Sequence, residues 1–165
     1  MAENRLQIDE QCVIANLKSS DKEGVLRELA EAVHHRCPQV DIEKMVDVLL
    51  EREQVGSTGV GNEVAIPHAK LANLEQLLLC LGRSQKGIPF DAVDKRPVHI
   101  FIMILSPKEM AAEYLQTLAR VSRLLKNREW RNRLRHAGSA AEMVSLFTAA
   151  DREQAAGEKK SQGGL

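Results

Sequence analysis

Apolar residues along the chain change their spacing from segment to segment, and each spacing predicts an element. Val25, Leu26, Leu29, Ala30 and Val33 recur at helical intervals up to about Arg36. A capping box, Ser20 with Glu23, opens that helix, and Pro38 breaks it. Ile42, Met45, Val46, Leu49 and Leu50 form a second amphipathic helix, with Asp41 as N-cap and an end near Gln54. Short apolar runs predict strands at residues 12–17, 64–66 and 76–83. Residues 98–105, Val-His-Ile-Phe-Ile-Met-Ile-Leu, are almost continuously apolar and predict a central strand buried on both faces. Gly56, Gly59 and Gly61 punctuate a polar loop before the second of these strands, and Pro67 stops that strand. Residues 87–97 read as a further loop.

Downstream, Ser106 and Glu109 form a second capping box with Pro107 in the first helical position. The helix it predicts carries Ala112, Leu115, Leu118, Ala119, Ser122 and Leu125. Asn127 caps a short helix through His136, closed by Gly138, and Ser139 with Glu142 opens a last helix containing Met143, Val144, Leu146 and Phe147. Helices interleaved with buried strands predict an α/β fold, a layered sheet covered by helices. One domain spans residues 1–150, and the polar, glycine-bearing stretch 151–165 reads as a disordered tail.

Composition narrows the function. Lys plus Arg and Asp plus Glu both total 23, so the formal net charge is zero, which speaks against nucleic acid as a partner. Aromatic residues are 3% of the chain, too few for base-stacking platforms. No apolar run approaches the ~18 residues of a membrane span, so direct membrane insertion is not expected. Cys12, Cys37 and Cys80, an odd number at wide spacing, read as buried apolar groups of a cytoplasmic protein rather than a disulfide frame.

Of the five histidines, His68 has a distinctive setting: it follows a strand end and a rigid proline, at the mouth of the glycine-rich loop. A neutral imidazole is a competent nucleophile near pH 7. The loop offers the Ser57 and Thr58 hydroxyls and several backbone N–H groups to an anion. Arg52 could add a bidentate fork for phosphate oxygens. On residues alone this suggests a phosphoryl group arriving on His68, with a structural histidine as the alternative. No cofactor and no metal are required.

The stretch Arg52-Glu53-x-x-x-Ser57-Thr58-Gly59-x-Gly61-Asn62-x-x-Ala65-Ile66-Pro67-His68 resembles the signature of the type-2 (fructose–mannitol) enzyme IIA domains of the bacterial phosphotransferase system, and most closely their nitrogen-regulatory branch. The resemblance continues through residues 87–94, the strand to Leu105, Ser106-Pro107 and the leucines of the following helix, covering residue 6 to about residue 149. It implies a mixed sheet covered by helices. It implies that His68 accepts a phosphoryl group from a histidine phosphocarrier protein, with Arg52 stabilising the phosphate. Ser57, Thr58, Gly59, Gly61 and Asn62 then form the phosphate-binding loop. The group passes to a IIB cysteine or is held as a regulatory mark. The alternatives are a non-catalytic module contacting a kinase or transporter, and a sugar-uptake relay to a separate IIB component.

Two positions depart from the family. Ala69 stands where the family usually has Gly, and a positive φ there would be strained. Tyr114 stands where many members place a second histidine. A phenol can donate a hydrogen bond but carries no positive charge at neutral pH, so the pattern predicts weak onward transfer and a regulatory role. Elsewhere, His34 and His35 read as cations at a helix C-terminus, His99 as a structural histidine and Trp130 as core. The basic residues from Arg120 to Arg135 read as a solvated face or a docking patch for an acidic partner.

Overall fold

The structure, a computed structural model, describes residue 6 and residues 8–162, with side chains through residue 157. Helices α1 (Lys22–Arg36) and α2 (Ile42–Val55) precede strands β2 (Gly59–Gly61), β3 (Val64–Ala65), β4 (His68–Leu71), β5 (Leu78–Ile88) and β6 (Val98–Pro107). A two-residue strand, β1 (Val13–Ile14), comes before them all. Helices α3 (Ala111–Leu124), α4 (Arg128–His136) and α5 (Ala140–Gln162) follow.

The mixed sheet runs β1-β5-β6-β3-β2, and β4 also pairs with β6. β3 and β4 lie end to end along the same side of β6, both parallel to it, with Ile66 and Pro67 between them. Pro67 has no N–H to give a ladder, which separates the two strands. β6 is buried along its whole length, as its apolar run predicts. Phe101, Met103 and Leu105 face one core with α1 and α2. Ile100, Ile102 and Ile104 face a second core with α3, α4 and α5. Period-2 alternation thus builds two cores on one strand.

Several expected boundaries move. Asp21, not Ser20, caps α1: the helix starts at Lys22, and the Asp21 carboxylate accepts from the Gly24 N–H at 2.7 Å. The predicted first strand is a 3-10 turn (Glu10–Cys12) followed by β1 alone. Ser106 and Pro107 do not open a helix. They extend β6, pairing with Lys70 and Leu71 of β4, and α3 starts at Ala111 without a side-chain cap. Ala137, rather than Gly138, is the C-cap of α4. Half of the glycine-rich loop is a hairpin, β2 with β3, turning at Asn62 and Glu63, both of positive φ.

Of the stretch 151–165 that the sequence reads as a disordered tail, residues 151–162 continue α5, and residues 163–165 lie outside the described residues. Asp151 is buried and accepts from the Leu6 N–H at 3.0 Å. Its other oxygen stands 2.8 Å from Arg120 Nε as an ion pair. Ion pairing holds this polar residue at the core margin, where hydropathy alone placed it in solvent. Among the described residues no helix is long and apolar enough to cross a membrane.

Candidate functional site

His68 is the first residue of β4 and pairs with Ile104 of β6. That register turns its ring to the side of the sheet occupied by α3. There the ring lies 5.9 Å from that of Tyr114, tilted by 55°. His68 Nδ1 is 2.7 Å from the Ile66 carbonyl oxygen. A carbonyl only accepts, so Nδ1 carries the proton and Nε2 keeps the lone pair. Arg52, on the last turn of α2, donates its Nε–H to that Nε2 at 3.3 Å, and donates from Nη1 to the Gly56 carbonyl at 2.8 Å. One guanidinium thus closes the helix end and points at the free ring nitrogen.

Burial holds the His68 pKa below the ordinary imidazole value, and Arg52 adds to the lowering. The Ile66 carbonyl and Glu53 work against it. The imidazole is therefore neutral at physiological pH. Burial pushes the Tyr114 phenol up to about 12, against the opposing effect of Arg52, so it stays protonated. Lys70, two residues beyond His68 on β4, places its ammonium 5.5 Å from the centre of the Tyr114 ring, a cation–π distance.

The loop residues divide into two groups. Ser57 lies next to Gly56, but its hydroxyl donates to the Phe90 carbonyl at 2.6 Å and accepts from the Gly59 N–H. Thr58 is buried, and both its N–H and its hydroxyl donate to the Glu53 carboxylate. These two side chains are committed to holding the loop, and neither hydroxyl is free for an anion. Gly59 packs against Ala92 so closely that a Cβ would come within 2.8 Å of it. Gly61 has φ +95°, which favours glycine. Asn62 sits in the hairpin turn, where its N–H donates to Asp94 at 3.2 Å. Gly61 and Asn62 lie beside the start of β3, which pairs with Ile100, four residues along β6 from the partner of His68. The structure therefore gathers His68, Arg52 and Tyr114, and leaves Gly61 and Asn62 at the far end of the strand. Ala69 is buried in β4 and is not among the residues of positive φ, so it introduces no strain there.

Glu53 is the residue that sequence reasoning passed over. It is buried, salt-bridged to Lys22 at 3.2 Å, and receives both Thr58 donors. Lys22 also reaches Asp91 at 3.3 Å and lies over the Phe90 ring. A charged residue directly after Arg52 was the available signal, since a carboxylate beside a buried loop must be paired.

His99, at the other end of β6, is a satisfied histidine: Nδ1 is bonded to the Ser84 carbonyl at 2.8 Å and Nε2 meets Arg135 at 3.3 Å. His34 Nδ1 is bonded to the Val40 carbonyl at 2.7 Å in the last turn of α1. Trp130 is buried and donates to the Leu146 carbonyl.

On a helix-covered mixed sheet the site thus holds a neutral histidine whose Nδ1 is fixed by a backbone carbonyl and whose Nε2 faces an arginine. The chain belongs to the family "Phosphoenolpyruvate-dependent sugar phosphotransferase system, EIIA 2", which matches residues 7–150. It is 34% identical over 137 residues to a nitrogen regulatory protein of Bradyrhizobium diazoefficiens, covering 83% of this chain and 89% of that one. It is 36% identical over 118 residues to the fructose-specific EIIA component of Haloferax volcanii, covering 72% and 77%. The crystal structure of the nitrogen regulatory protein IIA-Ntr from Neisseria meningitidis superimposes with a TM-score of 0.81 at 26% identity, over 86% of this chain and 96% of that one.

Proposed function

We propose that this protein is a phosphohistidine carrier that takes a phosphoryl group on Nε2 of His68 from a histidine phosphocarrier protein, and that its main role is regulatory. The observation that carries the reading is the 2.7 Å bond from Nδ1 to the Ile66 carbonyl, which leaves the Nε2 lone pair for attack. The donor's P–N bond breaks as the P–Nε2 bond forms, and the bonding pair returns to the donor's imidazole. The His68 ring gains positive charge, which the Ile66 carbonyl stabilises through the Nδ1 proton. Arg52 releases Nε2 and turns its N–H donors to the phosphoryl oxygens.

Regulation is favoured by Tyr114, which stays a neutral phenol where many family members offer a titrating histidine. A regulatory mark needs a stable phosphohistidine more than a fast exit. The likeness to nitrogen regulatory proteins supports the same reading. Relay to a IIB cysteine for sugar uptake is the second reading, supported by the likeness to a fructose-specific EIIA component. Incubation with a phosphorylated histidine phosphocarrier protein, read by intact mass, tests the first step. One acid-labile phosphoryl group on the native protein and none on His68→Ala is expected. A group retained by His68→Ala contradicts the assignment.

A further inference from the structure

At the end of the sheet away from His68, α4 and the β2–β3 turn enclose a groove of about 760 Å³. Four arginines line it, Arg96, Arg128, Arg131 and Arg135, against two glutamates, Glu63 and Glu129. Arg128, Arg131 and Arg135 stand at i, i+3 and i+7 on α4, so they form one stripe about 10 Å long. Arg96 faces them from the segment before β6.

Glu63 shows what the groove accepts. Its backbone takes a left-handed φ of +66°, unusual for a side chain of this size. Its carbonyl receives the His99 and Ile100 N–H groups, which fix the turn against β6. Its carboxylate is thereby set between Arg96, at 2.8 Å, and Arg135. Two of the four arginines thus already hold a carboxylate. The other two are differently placed: Arg131 spends one donor on the Leu125 carbonyl, and no polar partner is found for the exposed Arg128 side chain among the described residues. Glu129 is paired with Arg133 at 3.0 Å, which offsets its charge.

We infer that this groove is a docking surface for an acidic helical segment of a partner protein, one that presents carboxylates a turn apart. The i, i+3, i+7 spacing of arginines on one face of α4 favours a partner with carboxylates at the same helical spacing. Charges spread over about 10 Å do not converge on one small anion, and small-molecule sites are mostly apolar and concave. The zero net charge of the chain and the two carboxylates in the groove disfavour a nucleic-acid backbone. The surface is remote from His68: Glu63 precedes β3, and His68 lies about 13 Å further along the strand direction. Docking here is compatible with a phosphoryl group at the other end, and the inference does not depend on the phosphotransfer reading.

The test is fluorescence anisotropy with a labelled 14-residue helical peptide carrying glutamates at i, i+3 and i+7. A second peptide has the same composition with the glutamates spread around the helix. The aligned peptide should bind at least about fivefold tighter, as expected for exposed ion pairs to Arg128 and Arg131 acting together, and the difference should shrink with salt. The double variant Arg128→Glu with Arg131→Glu should lose the preference while its circular dichroism stays native. Arg133→Glu, on the neighbouring face, should keep it. Equal binding of the two peptides overturns the inference. So does a preference that survives the double charge reversal. Displacement of the peptide by pyrophosphate or by a 20-base-pair duplex, at concentrations below those at which unlabelled peptide competes, would assign the groove to a small anion or to nucleic acid instead.

Discussion

Arg52 Nε lies 3.3 Å from His68 Nε2, a polar contact between the end of α2 and the start of β4. The same guanidinium closes the helix on the Gly56 carbonyl. Arg52 is therefore fixed at its base and can still turn its fork toward an incoming phosphoryl group. Charge-assisted bonds of this kind contribute about 1.5–3 kcal/mol. Arg52→Ala should slow phosphorylation of His68 by roughly tenfold to a hundredfold. Arg52→Lys should recover only part of the rate, because an ammonium lacks the planar fork. Rapid-quench phosphorylation assays on variants of native circular dichroism provide the check. Loss of the fold in Arg52→Ala would make the residue a helix cap and no more.

On the proposed reading, Tyr114 is the residue expected to set how fast the phosphoryl group moves on. Its phenol, pushed up to about 12, can donate a hydrogen bond but cannot titrate near neutrality. Tyr114→His should speed transfer to a IIB cysteine and bring in a pH dependence between about 6 and 7, the range of an ordinary imidazole. Tyr114→Phe should cost roughly tenfold or less, as for one neutral hydrogen bond. Single-turnover transfer to a IIB domain across pH distinguishes these outcomes. A native protein already as fast as Tyr114→His would shift the function to ordinary relay.

The depressed pKa of His68 sets the pH response of the first step. Only the neutral ring has an Nε2 lone pair, and burial keeps the folded-state value below the ordinary one near 6.5. Phosphorylation should therefore stay level from pH 8 down through about 6.5 and fall only below it. The same shift acts on stability. Between the ordinary pKa and the lower folded one the unfolded chain binds the proton and the folded chain does not. This contribution to stability is present above about 6.5 and is lost as pH falls toward the folded value. Parallel acid titrations of His68→Gln and the native protein, followed by unfolding midpoint, should show less acid sensitivity in the variant.

Asp151 clasps the N-terminal segment and α3 to the last helix. Asp151→Ala leaves the Arg120 side chain, 14% exposed, without its carboxylate and the Leu6 N–H without its acceptor. Removing one partner of a buried pair costs about 3–5 kcal/mol, somewhat less where water reaches one side. Urea unfolding should register a loss of about 2–4 kcal/mol. A midpoint unchanged from the native one would show that α5 needs no anchor here.

The parts of the fold that frame the candidate site were legible in the sequence because they follow local rules. The apolar run of β6, the Asp41 cap and the Arg52-to-His68 stretch each rest on neighbours in the chain. What it hid depends on distant partners. Ser57 is engaged by Phe90, 33 residues on, so its hydroxyl looked free. Thr58 and Glu53 are five residues apart, yet their pairing also needs Lys22 from α1. Ser106 and Pro107 have the composition of a helix start, but the β4 ladder keeps them extended. Asp151 reads as solvent-facing until Arg120 and Leu6 are brought to it. In each case a long-range hydrogen bond or ion pair overrides a local preference.

The central claim is that His68 is phosphorylated on Nε2, with the proton retained on Nδ1. Nitrogen-15 NMR of the protein labelled in its histidine rings, recorded before and after reaction with a phosphorylated histidine phosphocarrier protein, tests it directly. The account predicts a phosphorus coupling at Nε2 of His68 and an Nδ1 that stays protonated against the Ile66 carbonyl. A coupling at Nδ1 would contradict it, because that nitrogen would first have had to leave a 2.7 Å hydrogen bond.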